Sequence, residues 1–238
     1  DPVHFEWMHE NWGNRLRTGS TALGPTHLKL AFDEFEHGFT YRRIKQDSDE
    51  HNEAWTIGRV CLWPNGFFLG EHFEWRVPID DGRTLSVTWA FNPVPLDRQP
   101  YKQGRIPYWY GPIKEPETGR WITTHVMNQD FVAWVGQGEI ADRTQEHLGR
   151  SDAGVAMLRK MFKENMRKVA NGEDPIAIIR EEHDVIHLPC ERDKFGAGTA
   201  FTDQWIMGGS MRYSPLKEQL LKLHRDAAAN REKAKSGA

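Results

Sequence analysis

HLKLAFD at 27–33, GFTYRRI at 38–44, WTIGRVCLW at 55–63, FEWRVPI at 73–79 and TLSVTWAF at 84–91 are runs in which apolar and polar residues tend to alternate. A period of two sends successive side chains to opposite faces of an extended chain, so each run reads as a strand. Between them stand turn-forming groups, among them Asp47-Ser48-Asp49, Pro64-Asn65-Gly66 and Asp80-Asp81-Gly82. Tight turns join antiparallel neighbours, whereas parallel strands need a long crossover. Residues 26–91 are therefore expected to form one antiparallel sheet. Its same-face pairs, Phe39 with Tyr41, Ile57 with Arg59, Phe73 with Trp75 and Trp89 with Phe91, are candidates to line a cavity or simply to fill the core.

Around this sheet the pattern turns helical. Val3, Trp7, Met8 and Trp12 recur at near-helical spacing within residues 1–17, and Gly13-Asn14 offers a stop. Residues 93–120 carry Pro93, Pro95, Pro100, Pro107, Pro112 and Pro116, which excludes long regular structure and predicts a covering loop. From Ser151, a natural cap, to Val169 a helix is expected, with Val155, Leu158, Met161, Phe162 and Val169 on one stripe and Gly172 beyond its basic last turn. Residues 215–235 predict a last amphipathic helix with Leu216, Leu220, Leu221 and Leu223, fraying into a polar tail.

Composition narrows the function. The 238 residues are 38% hydrophobic with a formal charge of −3, so there is no basic field to hold nucleic acid by counterion release. No apolar run approaches the roughly 18 residues that cross a bilayer, and the first residues lack a secretion-signal layout. Two cysteines, Cys61 and Cys190, fit a reducing cytoplasm, and neither sits in a C-x-x-C or C-x-H pair that could anchor a thiolate cluster. Ten Trp, 12 Phe and 11 His are in excess, which suits a wide aromatic cavity or a well-filled core. A start at Asp1-Pro2-Val3-His4, without Met and inside a patterned segment, suggests a domain of a longer protein.

The most pointed motif is Asp1-x2-His4-x4-His9. In a chain of this composition it arises by chance only about 0.03 times, which makes it a candidate site. Residues five apart stand about 140° apart on a straight helix, so two imidazoles could face one metal only through a bulge or a tightened turn. Two imidazoles and a carboxylate on one face of an octahedron form the Fe(II) site of oxygenases. The plainer reading makes His4 and His9 surface or capping residues. His183 and His187, within Glu181-Glu182-His183-Asp184-Val185-Ile186-His187, have the i, i+4 spacing that suits zinc on a straight helix, although Val185 and Ile186 favour a strand.

The motif resembles the start of the catalytic domain of Rieske non-heme iron aromatic-ring-hydroxylating oxygenase alpha subunits. Asn128-Gln129-Asp130, Gln137-Gly138-Glu139-Ile140-Ala141-Asp142-Arg143 and Glu146-His147-Leu148-Gly149-Arg150-Ser151-Asp152 are similar to the phthalate-dioxygenase-like branch, as is FEWRVPIDD at 73–81. The resemblance spans residues 1 to about 195. It implies that His4, His9 and Asp130 are the iron ligands. It makes Asp1 the acid that bridges an iron-ligating histidine to a cluster-ligating histidine of a neighbouring subunit, and so the electron path. The expected fold is α+β, an antiparallel sheet wrapped around long helices, as the family's helix-grip (START/Bet v 1-like) domain implies.

Further expectations follow from the same resemblance: one catalytic domain over 1–238, with the carboxylate ligand and the long helix in 128–170, and mononuclear Fe(II). Electrons would come from a Rieske 2Fe–2S cluster outside this chain, fed by a reductase or ferredoxin, within a homotrimer. The implied reaction is O2-dependent hydroxylation, or oxidative demethylation, of an aromatic or similarly flat apolar substrate. Tyr41, Arg43, Arg59, Trp75 and Trp89 are candidate substrate contacts, an arginine offering its fork to a carboxylate, although sheet arginines are usually solvated. Arg143, Glu146, His147, Arg150 and Asp152 are read as structural, capping and pairing at a helix start. The rival readings are a helix-grip carrier of small apolar ligands and a zinc hydrolase at His183 and His187.

Overall fold

The computed structural model describes residues 2–69, 72–90, 94, 96–191 and 210–236. The elements in chain order are a helical run made of α1 (Pro2–His4), a π-helical stretch (Phe5–Trp12) and α2 (Gly13–Thr18); strands β1 (His27–Phe35) and β2 (Gly38–Lys45); helix α3 (Glu53–Thr56); strands β3 (Arg59–Leu62), β4 (Gly66–Phe68), β5 (His72–Asp80) and β6 (Arg83–Ala90); and helices α4 (Val126–Gly136), α5 (Ala153–Ala170) and α6 (Lys217–Ser236). The class is α+β. The chain falls into two compact units, one of residues 1–6, 23–90 and 139–193, the other of 7–22, 91–138 and 194–238.

The first unit is built on a six-stranded antiparallel sheet whose strands follow one another in sequence order. The turn chemistry dictates this. Phe35 pairs with Gly38 across a two-residue connection, and Asp80 with Arg83 across Asp81-Gly82. One expectation fails at 55–63, where Asn52 caps a helical turn by accepting from the Ala54 N–H at 2.9 Å. Trp55 and Thr56 are therefore helical, Ile57 ends that turn, and pairing starts only at Arg59. Beyond the Pro64-Asn65 turn, Gly66–Phe68 makes a short strand, so Gly66, expected in the turn, is paired.

Gly58 lets the chain leave α3 and enter β3. Its φ is +80°, and a Cβ there would stand 2.4 Å from the Tyr41 carbonyl oxygen. Gly58→Ala should cost about 1–3 kcal/mol through the left-handed backbone and the backbone clash together, read by urea unfolding. A loss within about 0.5 kcal/mol would show that the strand entry is not tight.

The core of this unit gathers Phe39 and Ile44 of β2, Val60 of β3 and Met161 of α5. On β5 the polar face is the more deeply buried one. His72 and Glu74 are 6% and 4% exposed, and Glu74 accepts from Arg76 and pairs with His72, which is why alternation alone selected the Phe73–Trp75 face instead. Helix α5 approaches β1 at Gly154, where a Cβ would meet the Phe32 ring at 2.4 Å, and Phe162 packs on Trp63 with ring centroids 4.5 Å apart.

The expected α5 stripe is only partly buried. Gly154, Met161 and Asn165 are covered, while Val155, Phe162 and Val169 are exposed by 39% or more. Asn165 takes its place by accepting from the Ile176 N–H at 2.8 Å, which holds the segment after the helix. The start of α5 is structural, as read: Glu146 receives both terminal nitrogens of Arg159, at 2.6 and 2.8 Å, and Asp152 accepts from the Gly149 N–H.

In the second unit, residues 99–113 lack regular structure, as their prolines require. Helix α6 is tied by Asp226 to Arg98 at 3.5 Å, and Leu221 is buried. Among the described residues no helix is long and apolar enough to cross a membrane.

Candidate metal centre

His4 and His9 share one uninterrupted helical run, and the division between the two units passes through it. On a regular α-helix they would diverge. Here Phe5–Trp12 is π-helical, and i→i+5 bonding widens the turn until residues five apart recur on one side. The sequence required a distortion between the two, and the structure supplies it as a widened turn rather than a tightened one. Such π segments concentrate at functional sites because the register is less stable than α and is held by what it presents.

Asp130 comes from α4, whose N-terminus is capped by a histidine. His125 Nδ1 accepts from the Asn128 N–H at 3.2 Å, and its ring, 3% exposed, stacks on Tyr213. Asn128 donates to the Pro112 carbonyl at 3.0 Å and Gln129 to the Thr123 carbonyl at 2.9 Å, so the first turn of α4 is pinned to the loop before it. Next in sequence, Asp130 reaches His9: Oδ1 lies 3.1 Å from Nε2. His4, His9 and Asp130 each offer one ligand atom, all within 4.8 Å of one another and all half-buried. Among the described residues no other group of three such side chains is this close.

The donor set fits a divalent metal. Octahedral coordination at about 2.1 Å sets neighbouring ligand atoms about 3 Å apart, which is the separation of His9 and Asp130. The hydrogen bonding fits as well. Gln129 Nε2 faces a carbonyl, so its Oε1 accepts from His9 Nδ1 at 3.0 Å. In the neutral ring Nε2 is then an acceptor 3.1 Å from a carboxylate oxygen, and two acceptors at that distance suit a shared cation.

His125 provides a pH test of α4. Burial, and then the Arg212 charge, push its imidazole down to about 4, with Asp130 acting the other way. The folded value lies below the unfolded one near 6.5, so the folded form resists protonation. Its contribution is complete above pH 6.5 and is lost as the pH falls towards 4, by up to about 3 kcal/mol. His125→Asn keeps a capping side chain that does not titrate, and urea unfolding at pH 7 and pH 4.5 should show a shallower acid loss in that variant. Equal losses in the two proteins would exclude His125 as the source.

Comparison with known proteins bears on what such a centre does. The chain is 52% identical over 236 residues to the 5,5'-dehydrodivanillate O-demethylase oxygenase subunit of Sphingobium sp., a match covering 95% of this chain and 55% of the relative. It is 31% identical over 196 residues to the phenoxybenzoate dioxygenase subunit alpha of Ectopseudomonas oleovorans, covering 78% of this chain and 45% of that one. The family model described as LigXa C-terminal domain like matches residues 114–190. The chain belongs to the family of Rieske oxygenase subunits. A third member, the tert-butanol monooxygenase / tert-amyl alcohol desaturase oxygenase subunit of Aquincola tertiaricarbonis, is 29% identical over 124 residues, 49% of this chain and 25% of that subunit. This Rieske oxygenase chain thus spans about half the length of the first two curated relatives.

The remaining sequence candidates of this Rieske oxygenase chain are placed as follows. Asp1 lies outside the described residues, as does Phe91. Tyr41, Arg43 and Arg59 share one face of the sheet, Tyr41 opposite Arg59. The two arginines do meet a carboxylate, but one from the chain itself: Glu191 Oε1 accepts from Arg43 Nη2 and Arg59 Nε, both at 2.7 Å. Tyr41 stacks on Phe32, and burial pushes its hydroxyl up. Trp75 stacks on Phe73, while Trp89, on the edge strand β6, is 52% exposed.

His183 and His187 are exposed, in a segment without regular structure, so the i, i+4 geometry that zinc would need is not formed. Gln129, His125 and Glu191 escaped the sequence reading. Gln129 was visible only as the neighbour of Asp130, and Glu191 carries no local signal because its partners lie 132 and 148 residues away.

Proposed function

We propose that residues 1–238 form the mononuclear-iron catalytic domain, of helix-grip type, of an O2-dependent oxygenase acting on an aromatic substrate, with His4, His9 and Asp130 holding one Fe(II). The observation that carries this reading is the convergence of two imidazoles and one carboxylate, His4 from the end of α1, His9 from the π-helical stretch and Asp130 from α4, with one imidazole held from behind by Gln129. Bound Fe(II) would supply O2 activation, with electrons from a Rieske 2Fe–2S cluster outside this chain and a reductase or ferredoxin behind it. His4, His9 and Asp130 would hold the ion, two imidazoles and one carboxylate being a donor set suited to Fe(II) oxygen chemistry. Half-burial of all three limits water at the site without closing it. Asp1 would serve as the bridge to the cluster of a neighbouring subunit in a homotrimer.

The relatives' names support hydroxylation or oxidative O-demethylation of an aromatic compound. The test uses the full-length protein with its electron donors and 5,5'-dehydrodivanillate as probe. The expected result is O2 consumption matched by release of formaldehyde from the methoxy group. Apolar-ligand binding without bound iron or O2 uptake would favour a non-catalytic carrier and overturn the reading.

A further inference from the structure

We propose that Gln129 is a positioning residue for His9, fixing the imidazole as its Nδ1–H tautomer and so turning Nε2 to the metal; the inference rests on the metal-site reading above. Gln129 is 1% exposed, the largest fully buried side chain described. A carboxamide buried so deeply must have its polar ends satisfied, and each end has a fixed partner. The Thr123 carbonyl can only accept, so it takes the amide N–H, at 2.9 Å. That choice fixes the other end: Oε1 can only accept, and it faces His9 Nδ1 at 3.0 Å. The ring orientation is therefore set, through two hydrogen bonds, by the Thr123 backbone carbonyl, with no freedom for the amide to flip.

The placement is economical in sequence. Gln129 and Asp130 are consecutive residues of α4, and they address opposite nitrogens of one imidazole, Nδ1 at 3.0 Å and Nε2 at 3.1 Å. A rotation of α4 would disturb both contacts together. A neutral amide oxygen accepting from the far ring nitrogen orients the ring without adding a second negative charge behind it, unlike a carboxylate in the same place.

The test is metal binding and ring spectroscopy on the full chain. Zinc-loaded wild type should show His9 protonated at Nδ1, as a slowly exchanging ring N–H in nitrogen-edited NMR. Gln129→Leu should lose that signal and bind cobalt(II) 10- to 100-fold more weakly at unchanged stoichiometry. Gln129→Glu, which keeps the acceptor facing His9 but gives up the N–H to the Thr123 carbonyl, should recover both in part. Metal coordinated through Nδ1 in wild type, or Gln129→Leu with wild-type affinity and N–H signal, would overturn the assignment while leaving the metal site standing. Failure of wild type to bind one metal, or undiminished binding by His9→Ala, would instead overturn the metal-site reading. Should Gln129→Leu fail to fold, the wild-type tautomer measurement decides alone.

Discussion

Glu191→Leu is expected to destabilise the protein by about 3–5 kcal/mol, the range for leaving a buried charge without its partner. Glu191 is 3% exposed, and both Arg43 and Arg59, 7% and 9% exposed, donate to its Oε1. Without that carboxylate two buried guanidinium charges are left together on one sheet face. Burial raises the Glu191 carboxyl, but the charges and hydrogen bonds of Arg59 and Arg43 more than offset it and hold the group below the usual carboxylate range. The folded value being the lower, this contribution is complete above the unfolded carboxylate range and is lost as the pH falls through the lowered one. Replacing all three residues, Glu191→Leu with Arg43→Met and Arg59→Leu, should recover most of the loss, because a buried ion cluster is often no better than an apolar one. Urea unfolding of wild type, Glu191→Leu and the triple variant measures it, and a single-substitution cost under about 1 kcal/mol would show that the cluster is solvated.

His9→Ala should abolish stoichiometric iron and reduce turnover by at least about 10³-fold, since the metal contributes several kcal/mol to such chemistry. The fold should survive. His9 is half-buried, its side chain 15% exposed, and it is not among the buried core residues; two of its contacts are polar ones to Gln129 and Asp130. The expected signature is an unchanged far-ultraviolet spectrum with lost metal. His183→Ala and His187→Ala, at exposed positions, should change neither quantity, and loss of activity in either would restore the zinc reading.

The sheet was legible because its strands alternate and several of its turns carry Asp, Asn and Gly; it departed at 53–58, where an Asn cap and a left-handed glycine outweigh the β-propensity of the surrounding residues, and at Gly66–Phe68, a strand too short to show a period. The long helix was legible in extent and only in part in orientation: Met161 is buried and Phe162 packs on Trp63, but Gly154 and Asn165 are buried beside them while Val155 and Val169 are exposed. The two imidazoles could be paired from spacing only by assuming a helix defect, and the π stretch is that defect. The partners of these groups were not legible. Gln129 acts through a bond 120 residues distant in sequence, and Glu191 through bonds longer still, distances at which a single sequence carries no pattern.

The central claim is that His4, His9 and Asp130 hold one ferrous ion. Anaerobic Fe(II) titration of metal-depleted protein, wild type beside Asp130→Ala, tests it most directly. The account predicts one equivalent bound per chain in wild type, over any iron of a cluster, and none at the same concentrations in Asp130→Ala. One equivalent bound with unchanged affinity in Asp130→Ala would contradict it.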